Sequence, residues 1–441
     1  MRFTIFITLI LVSGLQANWP SFRGERANGV AENVDLPEKF DGKTGEGLRF
    51  KVRIPGLAHS SPIIWEDRLF LTTAISQDAN ASFKPGLYGS GDASKDKSVH
   101  DWKLLCLNRK TGKVLWEKTA TTGTPIDKRH IKSTYANSTP CTDGNVVVAW
   151  FGSQGVFGFS VDGELLWSKK LGRLDVGAYD LPSYEWGPAS SPILHKGKVI
   201  IQVDTQGEDF LLCLDSQTGK ELWKTPRDEL PSWATPTIVE TEDRTEIVTN
   251  GSNFIMGYDF ETGKELWRLG GSSKITAPTP VHSDGITIVS SGRAPESPIF
   301  AIRNGAKGDI TLEKKAYKNE FVAWRHNRRG PYMPSPIIYQ GNVYVLHNGG
   351  IFGAYDLKSG EEHFVRRIPH NGYGFSASPV AADDKIYLPG EDGIILEMKA
   401  GKIMQYVRTH TIGEPIMASP AIAGKSLYIR GKDHLFAFSK E

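Results

Sequence analysis

The stretch Ser376–Gly393, with the sequence SASPVAADDKIYLPGEDG, decides the fold of this chain. It reads as two short strands: a Ser-Pro start, an apolar pair, a turn at Asp383 and Asp384, and the alternating run Lys385–Leu388. A single hairpin is not stable in water, so other parts of the chain must pair with it. Similar stretches occur seven more times, with their prolines at Pro62, Pro140, Pro192, Pro236, Pro280, Pro336 and Pro420.

The spacing of these eight copies indicates a β-propeller. After a first step of 78 residues, consecutive prolines lie 41 to 56 residues apart. Short strands repeated at a period of roughly 40 to 50 residues are typical of propellers, in which each copy supplies one blade. We therefore predict an all-β, eight-bladed β-propeller with four-stranded antiparallel blades, and the 46 Gly and 25 Pro suit a chain of strands and turns.

A second repeated pattern predicts the outermost strand of each blade. A Gly-containing turn leads into a strand that ends in Trp, and we interpret Trp116, Trp167, Trp223 and Trp267 as structural. Weaker copies lie at Gly308–Leu312, Gly360–Phe364 and Gly401–Tyr406. The eighth blade reaches the end of the chain before its own outer strand. The N-terminal strand Leu48–Val52, with Phe50 in the Trp position, is predicted to complete it and so close the ring without exposed sheet edges.

The repeat TGKELW, preceded by Leu214 and Asp215 in one copy and by Tyr258 and Asp259 in another, resembles the pyrroloquinoline-quinone-type repeat family. Such repeats build the eight-bladed propellers of quinoprotein dehydrogenases and the similar propeller of a bacterial outer-membrane-protein assembly lipoprotein. NWPSFRG from Asn18 and HSSPIIW from His59 are similar to a group of exported bacterial propellers of unassigned activity. The resemblance covers nearly all of the mature chain and implies the fold rather than an activity.

The N-terminus reads as a targeting segment. Arg2 is followed by an apolar run that is too short to remain in a bilayer, and residues 15–17 form a cleavage site. We predict a signal peptide at residues 1–17, a single propeller domain at 18–441, and a monomer exported to the periplasm or the cell exterior without a transmembrane anchor. The 52 basic and 50 acidic residues leave no excess charge for nucleic acid or an anionic membrane.

Three further features lead to smaller predictions. Residues 19–41 are irregular and Gly-rich, and we expect them to form a strap on the propeller surface. The polar insertion Ser76–His100 is interpreted as a mobile surface loop, with a flap as the alternative. The three cysteines, Cys106, Cys141 and Cys213, are interpreted as buried thiols without a disulfide.

A candidate site follows from propeller geometry, because the segment that leads into each innermost strand lies at one mouth of the channel. The predicted ligand-binding residues at this mouth are His59, Arg129, His130, Asn137, Trp186, Trp233, Lys274, Arg325, Arg328, Arg329, Tyr332, Tyr373 and Glu414. Arginines beside flat rings suit an anionic planar ligand, and they also suit a sugar or a peptide loop. In the alternative interpretation the arginine run is a solvated loop, the two tryptophans pack between blades, and His59 is structural.

Three classes of function remain open from the sequence. The leading one is an exported, non-catalytic binding or scaffold protein that engages a protein, a glycan or a small anionic ligand. The resemblance implies an alternative, a dehydrogenase of alcohols or sugars that uses pyrroloquinoline quinone with calcium. The chain lacks adjacent cysteines and offers no matching calcium ligands, so we assign no metal or catalytic residue. A polysaccharide hydrolase or lyase is the second alternative, with Asp175, Asp180 and Glu185 as the acidic residues at the mouth.

Overall fold

The computed structural model describes residues 18–87, 93–180 and 184–440. The predicted signal peptide at residues 1–17 lies outside the described residues, as does the middle of the Ser76–His100 insertion. Among the described residues, the strands form eight sheets around a central channel. The prediction of an all-β, eight-bladed propeller with antiparallel blades is therefore confirmed.

Each blade contributes four antiparallel strands, which we number from the channel outward. Blades 1 to 4 are Ile63–Trp65, Arg68–Ser76, His100–Asn108 and Val114–Gly123; Cys141–Thr142, Val146–Trp150, Val156–Ser160 and Leu165–Lys169; Ile193–His195, Lys198–Val203, Phe210–Asp215 and Glu221–Pro226; Thr237–Glu240, Thr245–Asn250, Phe254–Asp259 and Glu265–Gly270. Blades 5 to 8 are Val281–Ser283, Ile286–Ser290, Ile299–Arg303 and Val322–His326; Ile337–Tyr339, Asn342–Leu346, Ile351–Asp356 and Glu362–Arg367; Val380–Ala382, Lys385–Pro389, Ile394–Lys399 and Gln405–Thr411; Ala421–Ala423, Ser426–Arg430, His434–Ser439 and Leu48–Arg53. Short 3₁₀ turns lie at Glu25–Ala27 and Gly152–Gln154.

A ring of hydroxyl groups explains why Ser or Thr precedes each of the eight prolines. The backbone N–H of this residue donates to the hydroxyl of the equivalent residue in the next blade, as from Ser61 to Thr139 at 2.9 Å and from Ser335 to Ser378 at 3.0 Å. Seven such bonds join the innermost strands from blade 1 to blade 8. The Ser61 hydroxyl has no partner among the described residues, so the hydroxyl ring is open between blades 8 and 1.

The repeated turn and Trp dock one blade onto the next. Gly163, in the turn of blade 2, has a φ of +89°, and a Cβ built on it would lie 2.8 Å from the Trp116 ring of blade 1. Only glycine combines this backbone conformation with so close an approach. The Trp116 indole N–H donates to the Val161 carbonyl of blade 2, and Trp167 and Trp324 make the same kind of bond to the blades that follow them. The tryptophans of the repeat are therefore inter-blade contacts.

The N-terminal strand closes the ring as predicted. Leu48–Arg53 pairs antiparallel with His434–Ser439 and becomes the outermost strand of blade 8. Phe50 takes the Trp position, because its ring contacts Gly112 in the turn of blade 1. The first and last parts of the described chain thus share one sheet.

One predicted outer strand was placed wrongly. The fourth strand of blade 5 is Val322–His326, with the buried Trp324 in the Trp position, and not Gly308–Leu312. An insertion separates it from the third strand, and Gly308–Asp309 within this insertion pairs parallel with the outer strand of blade 4. The strands predicted near Gly360–Phe364 and Gly401–Tyr406 are present as Glu362–Arg367 and Gln405–Thr411, although Tyr406 is exposed.

The strap predicted before the first blade closes one end of the channel. We call this end the lower mouth, and the opposite end, where the chain enters the innermost strands, the upper mouth. Trp19 pairs with Ile64 of blade 1, Pro20 accepts from Thr142 of blade 2, and Ala31 donates to Ala381 of blade 7. The strap therefore crosses from one side of the ring to the other. The three cysteines are buried and free, as predicted.

Candidate functional site at the upper mouth

One residue from every blade surrounds a cavity of about 270 Å³ at the upper mouth. Each of these residues lies three positions before the repeated proline of its blade, and we call the set the upper ring. It consists of His59, Asn137, Ala189, Trp233, Ala277, Met333, Ser376 and Met417. None of the eight carries a carboxylate, ammonium or guanidinium group, so the upper ring is uncharged when His59 is neutral.

Aromatic and apolar side chains enlarge the cavity above the upper ring. Trp186 and Trp233 lie with ring centroids 5.7 Å apart and planes inclined at 40°, and His130 meets Trp186 edge-on. Tyr332, Ile275 and Leu87 complete this lining. Trp233 donates its indole N–H to the Gly187 carbonyl at 2.8 Å, whereas the indole N–H of Trp186 is buried without a partner among the described residues. Flat rings with one free donor suit a planar or aromatic ligand group.

Both imidazoles at the cavity are held in the neutral form. Burial lowers the pKa of His59 to about 4, and burial with the nearby Lys132 ammonium lowers the pKa of His130 to about 4. His59 uses Nε2 to donate to the Lys132 carbonyl at 2.7 Å. Its Nδ1 is therefore an acceptor, and it has no partner among the described residues. The cavity therefore presents uncharged imidazole and indole rings in an apolar setting.

The described part of the Ser76–His100 insertion lies across the upper mouth, which corresponds to the flap alternative rather than to a free surface loop. We call residues 77–87 the flap. Lys84 donates to the Ile131 carbonyl of blade 2, and Leu87 lines the cavity. A Cβ on Gly374 of blade 7 would lie 2.6 Å from the Leu87 side chain. The flap therefore reaches from blade 1 over blade 2 to blade 7.

A buried carboxylate joins the flap to blades 2 and 7. Glu391, in the loop after the second strand of blade 7, is fully buried. It accepts from the Lys132 ammonium at 2.6 Å, from the Ser376 hydroxyl at 2.5 Å and from the backbone N–H of Gly86 at 2.7 Å. Lys132 also donates to the Gly86 carbonyl at 2.8 Å. We call this group the latch, and it neutralises the charged lysine that borders the cavity.

The structure brings six of the predicted ligand-binding residues together. His59, His130, Asn137, Trp186, Trp233 and Tyr332 line the cavity. The other seven do not line it: Arg129, Lys274, Arg325, Arg328, Arg329, Tyr373 and Glu414. The mouth is consequently less charged than the sequence indicated, because Lys132 is the charged residue that reaches the lining within the described chain.

The predicted arginines serve other contacts. Arg129 is buried and donates to the Ser133 carbonyl at 2.6 Å and to the Ser82 carbonyl of the flap at 3.0 Å. Arg325 belongs to the outermost strand of blade 5, where its guanidinium lies 5.4 Å from the Phe300 ring centroid. Arg329 pairs with Glu362 at 2.9 Å and Arg328 is exposed. Arg325, Arg328 and Arg329 lie away from the cavity because the insertion in blade 5 moved its outer strand to Val322–His326.

The remaining three residues lie in loops beside the mouth. Lys274 donates to the Asn253 side chain at 2.7 Å. Glu414 accepts from the backbone N–H of His434 at 3.0 Å and from the His434 ring at 2.8 Å, so it stabilises the loop after the second strand of blade 8. Tyr373 is exposed outside the cavity.

Sequence reasoning missed five members of the upper ring: Ala189, Ala277, Met333, Ser376 and Met417. It also missed Leu87, Lys132 as a latch residue, and Glu391. A signal for the ring was present, since all eight members share the position three residues before the repeated proline. Small and apolar residues at that position did not resemble site residues. Glu391 carried no signal, because its partners come from blade 2, blade 7 and the flap.

The acidic residues expected near the mouth are held in ion pairs. Glu185 is buried and accepts from Arg173 at 2.8 Å, while Asp175 pairs with the same guanidinium at 3.3 Å. Asp180 pairs with Arg293 at 3.2 Å. None of the three lines the cavity. They are therefore poorly placed as a pair of carboxylates acting on a sugar there.

The donor set of the cavity does not fit a calcium-bound quinone. Calcium is held by six to eight oxygen ligands, among them carboxylates. The only carboxylate at the edge of the described cavity, Glu391, is engaged by the latch. Within residues 18–87, 93–180 and 184–440 no cluster of three or more His, Cys, Asp or Glu side chains is arranged for a metal ion. The described chain also contains no helix that is long and apolar enough to cross a membrane.

Comparisons with known proteins agree with this fold. A protein-family model described as Outer membrane protein assembly factor BamB matches residues 38–229 and 207–441. No curated protein matches the chain. Among solved structures, BamB from Moraxella catarrhalis is 13% identical, with a TM-score of 0.53 over 84% of this chain and 99% of that one.

Two solved enzymes are similar in structure as well. A europium-containing methanol dehydrogenase is 10% identical, with a TM-score of 0.64 over 96% of this chain and 98% of its own. A quinohemoprotein alcohol dehydrogenase from Comamonas testosteroni is 12% identical, with a TM-score of 0.62 over 96% of this chain and 80% of its own. At such identities the similarity shows a shared propeller fold and no shared activity.

Proposed function

The chain belongs to the family of quinone-like propellers described as Outer membrane protein assembly factor BamB, and we propose that it is a non-catalytic binding protein. In this proposal the propeller is exported to the periplasm or the cell exterior and engages a partner protein at its upper mouth. The group that enters the cavity is an uncharged aromatic or apolar side chain of that partner. The single observation that carries the proposal is the uncharged upper ring, to which all eight blades contribute.

The chemistry of the lining supports this choice of ligand. Trp186, Trp233 and Tyr332 provide ring faces, and Met333 and Met417 provide flexible thioethers that adapt to different apolar shapes. The nearest charges, Lys132 and Glu391, neutralise each other in the latch. A carboxylate ligand would find no unpaired cation among the described lining residues, so a small anionic ligand is less well supported.

The proposal is tested by calorimetric titration with N-acetyl-tryptophanamide, which mimics a peptide-borne aromatic side chain. We expect saturable binding to the wild type and at least tenfold weaker binding to Ala277→Trp, which fills the cavity from the upper ring. Tyr406→Ala, on the exposed outer strand of blade 7, is the matched control and should bind like the wild type. Equal binding by Ala277→Trp would contradict the proposal.

A second titration distinguishes the proposed binding protein from a quinone-dependent enzyme. Pyrroloquinoline quinone is added with and without calcium, and the absorbance of the quinone and the unfolding temperature are followed. The proposed binding function predicts no calcium-dependent binding, since the cavity lacks free carboxylates. Tight calcium-dependent binding would instead favour a quinone-dependent oxidoreductase. A neutral oligosaccharide that binds in place of the aromatic amide would make a glycan the partner.

A further inference from the structure

Arg23 is a buried arginine for which the described chain provides almost no partner. Its side chain is fully buried within the strap, and one of its nitrogens, Nη2, donates to the Asn28 carbonyl at 3.3 Å. The other two, Nε and Nη1, have no partner among the described residues. Burial alone lowers the pKa of Arg23 to about 9, and no described carboxylate acts on it. Arginine is almost never fully buried unless it is paired.

The strap carries Arg23 across the closed lower end of the channel. Trp19, Pro20 and Ala31 bond to the residue two positions after the repeated proline in blades 1, 2 and 7. The residues of the hydroxyl ring lie one position before the proline. They are therefore three residues nearer the upper mouth than the residues that bond to the strap. At ~3.3 Å for each residue, the two levels are roughly 10 Å apart. Arg23 lies in the strap between these contacts, and its guanidinium packs against Gly29, where a Cβ would lie 2.5 Å from Nη2.

Two other buried arginines of the propeller make more and shorter contacts than Arg23. Arg227, also fully buried, pairs with Asp204 at 2.7 Å and bonds to the Tyr258 hydroxyl at 2.6 Å. Arg430 donates through Nη1 to the Ser60 hydroxyl at 3.0 Å and to the Thr72 carbonyl of the next blade at 2.6 Å, although its Nε has no partner among the described residues. In contrast, Arg23 has one long bond to its own loop. Arg227 is thus accounted for by contacts within the ring, and Arg430 makes two bonds between blades, which leaves Arg23 as the least satisfied of the three.

The hydroxyl ring adds further donors above Arg23. Each of its seven bonded hydroxyl oxygens accepts a backbone N–H, and the described residues offer no acceptor for the hydroxyl protons. Guanidinium N–H groups below and hydroxyl protons above are all hydrogen-bond donors. An enclosed space lined by donors, with a positive charge and no carboxylate beside that charge, favours an anion.

We propose that the lower channel holds a small inorganic anion, bound by Nε and Nη1 of Arg23 between the strap and the hydroxyl ring. A halide or a small oxyanion has the charge and the acceptor capacity for these donors. The anion would join the strap to the innermost strands and thereby stabilise the closed lower mouth. This site is separate from the cavity at the upper mouth and does not depend on its ligand.

The direct test is a crystal structure of the full mature protein grown with sodium bromide, with anomalous diffraction measured at the bromine edge. We expect an anomalous peak within hydrogen-bond distance of Nε and Nη1 of Arg23. A peak absent from this position, with water density in its place, would overturn the proposal. This measurement needs no variant and is therefore independent of any effect of mutation on folding.

A solution test uses unfolding temperature against the concentration of sodium bromide or chloride, at constant ionic strength set with the bulky anion gluconate. A ligand that binds only the folded state raises stability with concentration. We expect a saturating rise of a few degrees for the wild type and for Arg26→Met, an exposed arginine of the same strap. Arg23→Met should show no anion-dependent rise, and an unchanged rise in this variant would contradict the site.

Discussion

The latch provides the sharpest test of how the upper mouth is held together. Changing Glu391→Gln keeps the shape of the side chain but removes its charge. The Lys132 ammonium, with a side-chain exposure of 12%, then remains largely buried without a counter-charge. Removing one partner of a buried ion pair costs about 3 to 5 kcal/mol. Because Lys132 keeps some contact with water and its bond to the Gly86 carbonyl, we expect a loss near the lower end, about 3 kcal/mol.

The assay is a double-mutant cycle with Lys132→Met, measured as the free energy of unfolding in guanidinium chloride. Lys132→Met leaves the carboxylate with two donors, the Ser376 hydroxyl and the Gly86 N–H, so its cost should be smaller. The double variant contains no buried charge at the latch. We therefore expect it to be more stable than the sum of the single changes predicts, by about 1 to 3 kcal/mol.

Hydrogen exchange identifies which residues lose stability in Glu391→Gln. The amide of Gly86 donates to Glu391, so its exchange should accelerate in Glu391→Gln together with that of the neighbouring flap residues. Amides in the outer strand of blade 3, Glu221–Pro226, should be unaffected and serve as the internal control. Costs that simply add to within about 0.5 kcal/mol, together with unchanged exchange at Gly86, would refute the latch.

Three further outcomes are expected. Deleting residues 18–53 should abolish cooperative unfolding, because blade 8 loses its outer strand; a truncated protein with the same calorimetric transition would disprove closure. Trp267→Ala should lower the free energy of unfolding by about 3 to 5 kcal/mol as a buried aromatic truncation, whereas the exposed Tyr406→Ala should cost almost nothing, and equal costs in denaturant titrations would count against the repeat assignment. His59 has a pKa near 4 when folded and an ordinary value of ~6.5 when unfolded, so the unfolded state binds more protons between these values. Its contribution of about 3 kcal/mol is therefore complete above pH 6.5 and is lost as the pH falls towards 4; a His59→Gln slope as steep as that of the wild type would show that this residue does not titrate as described.

The repeat allowed most of the fold to be predicted from the sequence. Ser or Thr recurs before proline because it bonds to the next blade, and glycine recurs in the turn because it packs against the Trp of the preceding blade. Each of these contacts joins neighbouring blades and therefore repeats once per blade. The number of blades and the closing strand at Leu48–Arg53 consequently follow from the repeated sequence pattern. The error at Gly308–Leu312 arose where an insertion imitated the turn, while the strand with Trp324 began fourteen residues later.

The site was harder to predict from the sequence, because the residues of the upper ring share a position in the repeat and not a chemical type. His59, Asn137 and Trp233 were found since they look reactive or large, and Ala189 and Met417 were overlooked although they occupy the same place in their blades. Arg325 and Glu414 were predicted to bind a ligand because they are charged, but both make local contacts instead. The latch joins residues that are 259 positions apart in sequence, Lys132 and Glu391, and no periodic pattern connects them.

The closing strand also sets the order in which the molecule is completed. Leu48–Arg53 is synthesised long before the strand to which it pairs, His434–Ser439. Until that later strand has been made, the early strand has no sheet to join, and the first blade has no complete eighth blade beside it. Completion of the toroid must therefore wait until His434–Ser439 has been made. Folding intermediates on the way are open arcs whose two free ends can pair with other chains, and dimers formed by exchange of the N-terminal strand are the expected misassembled product.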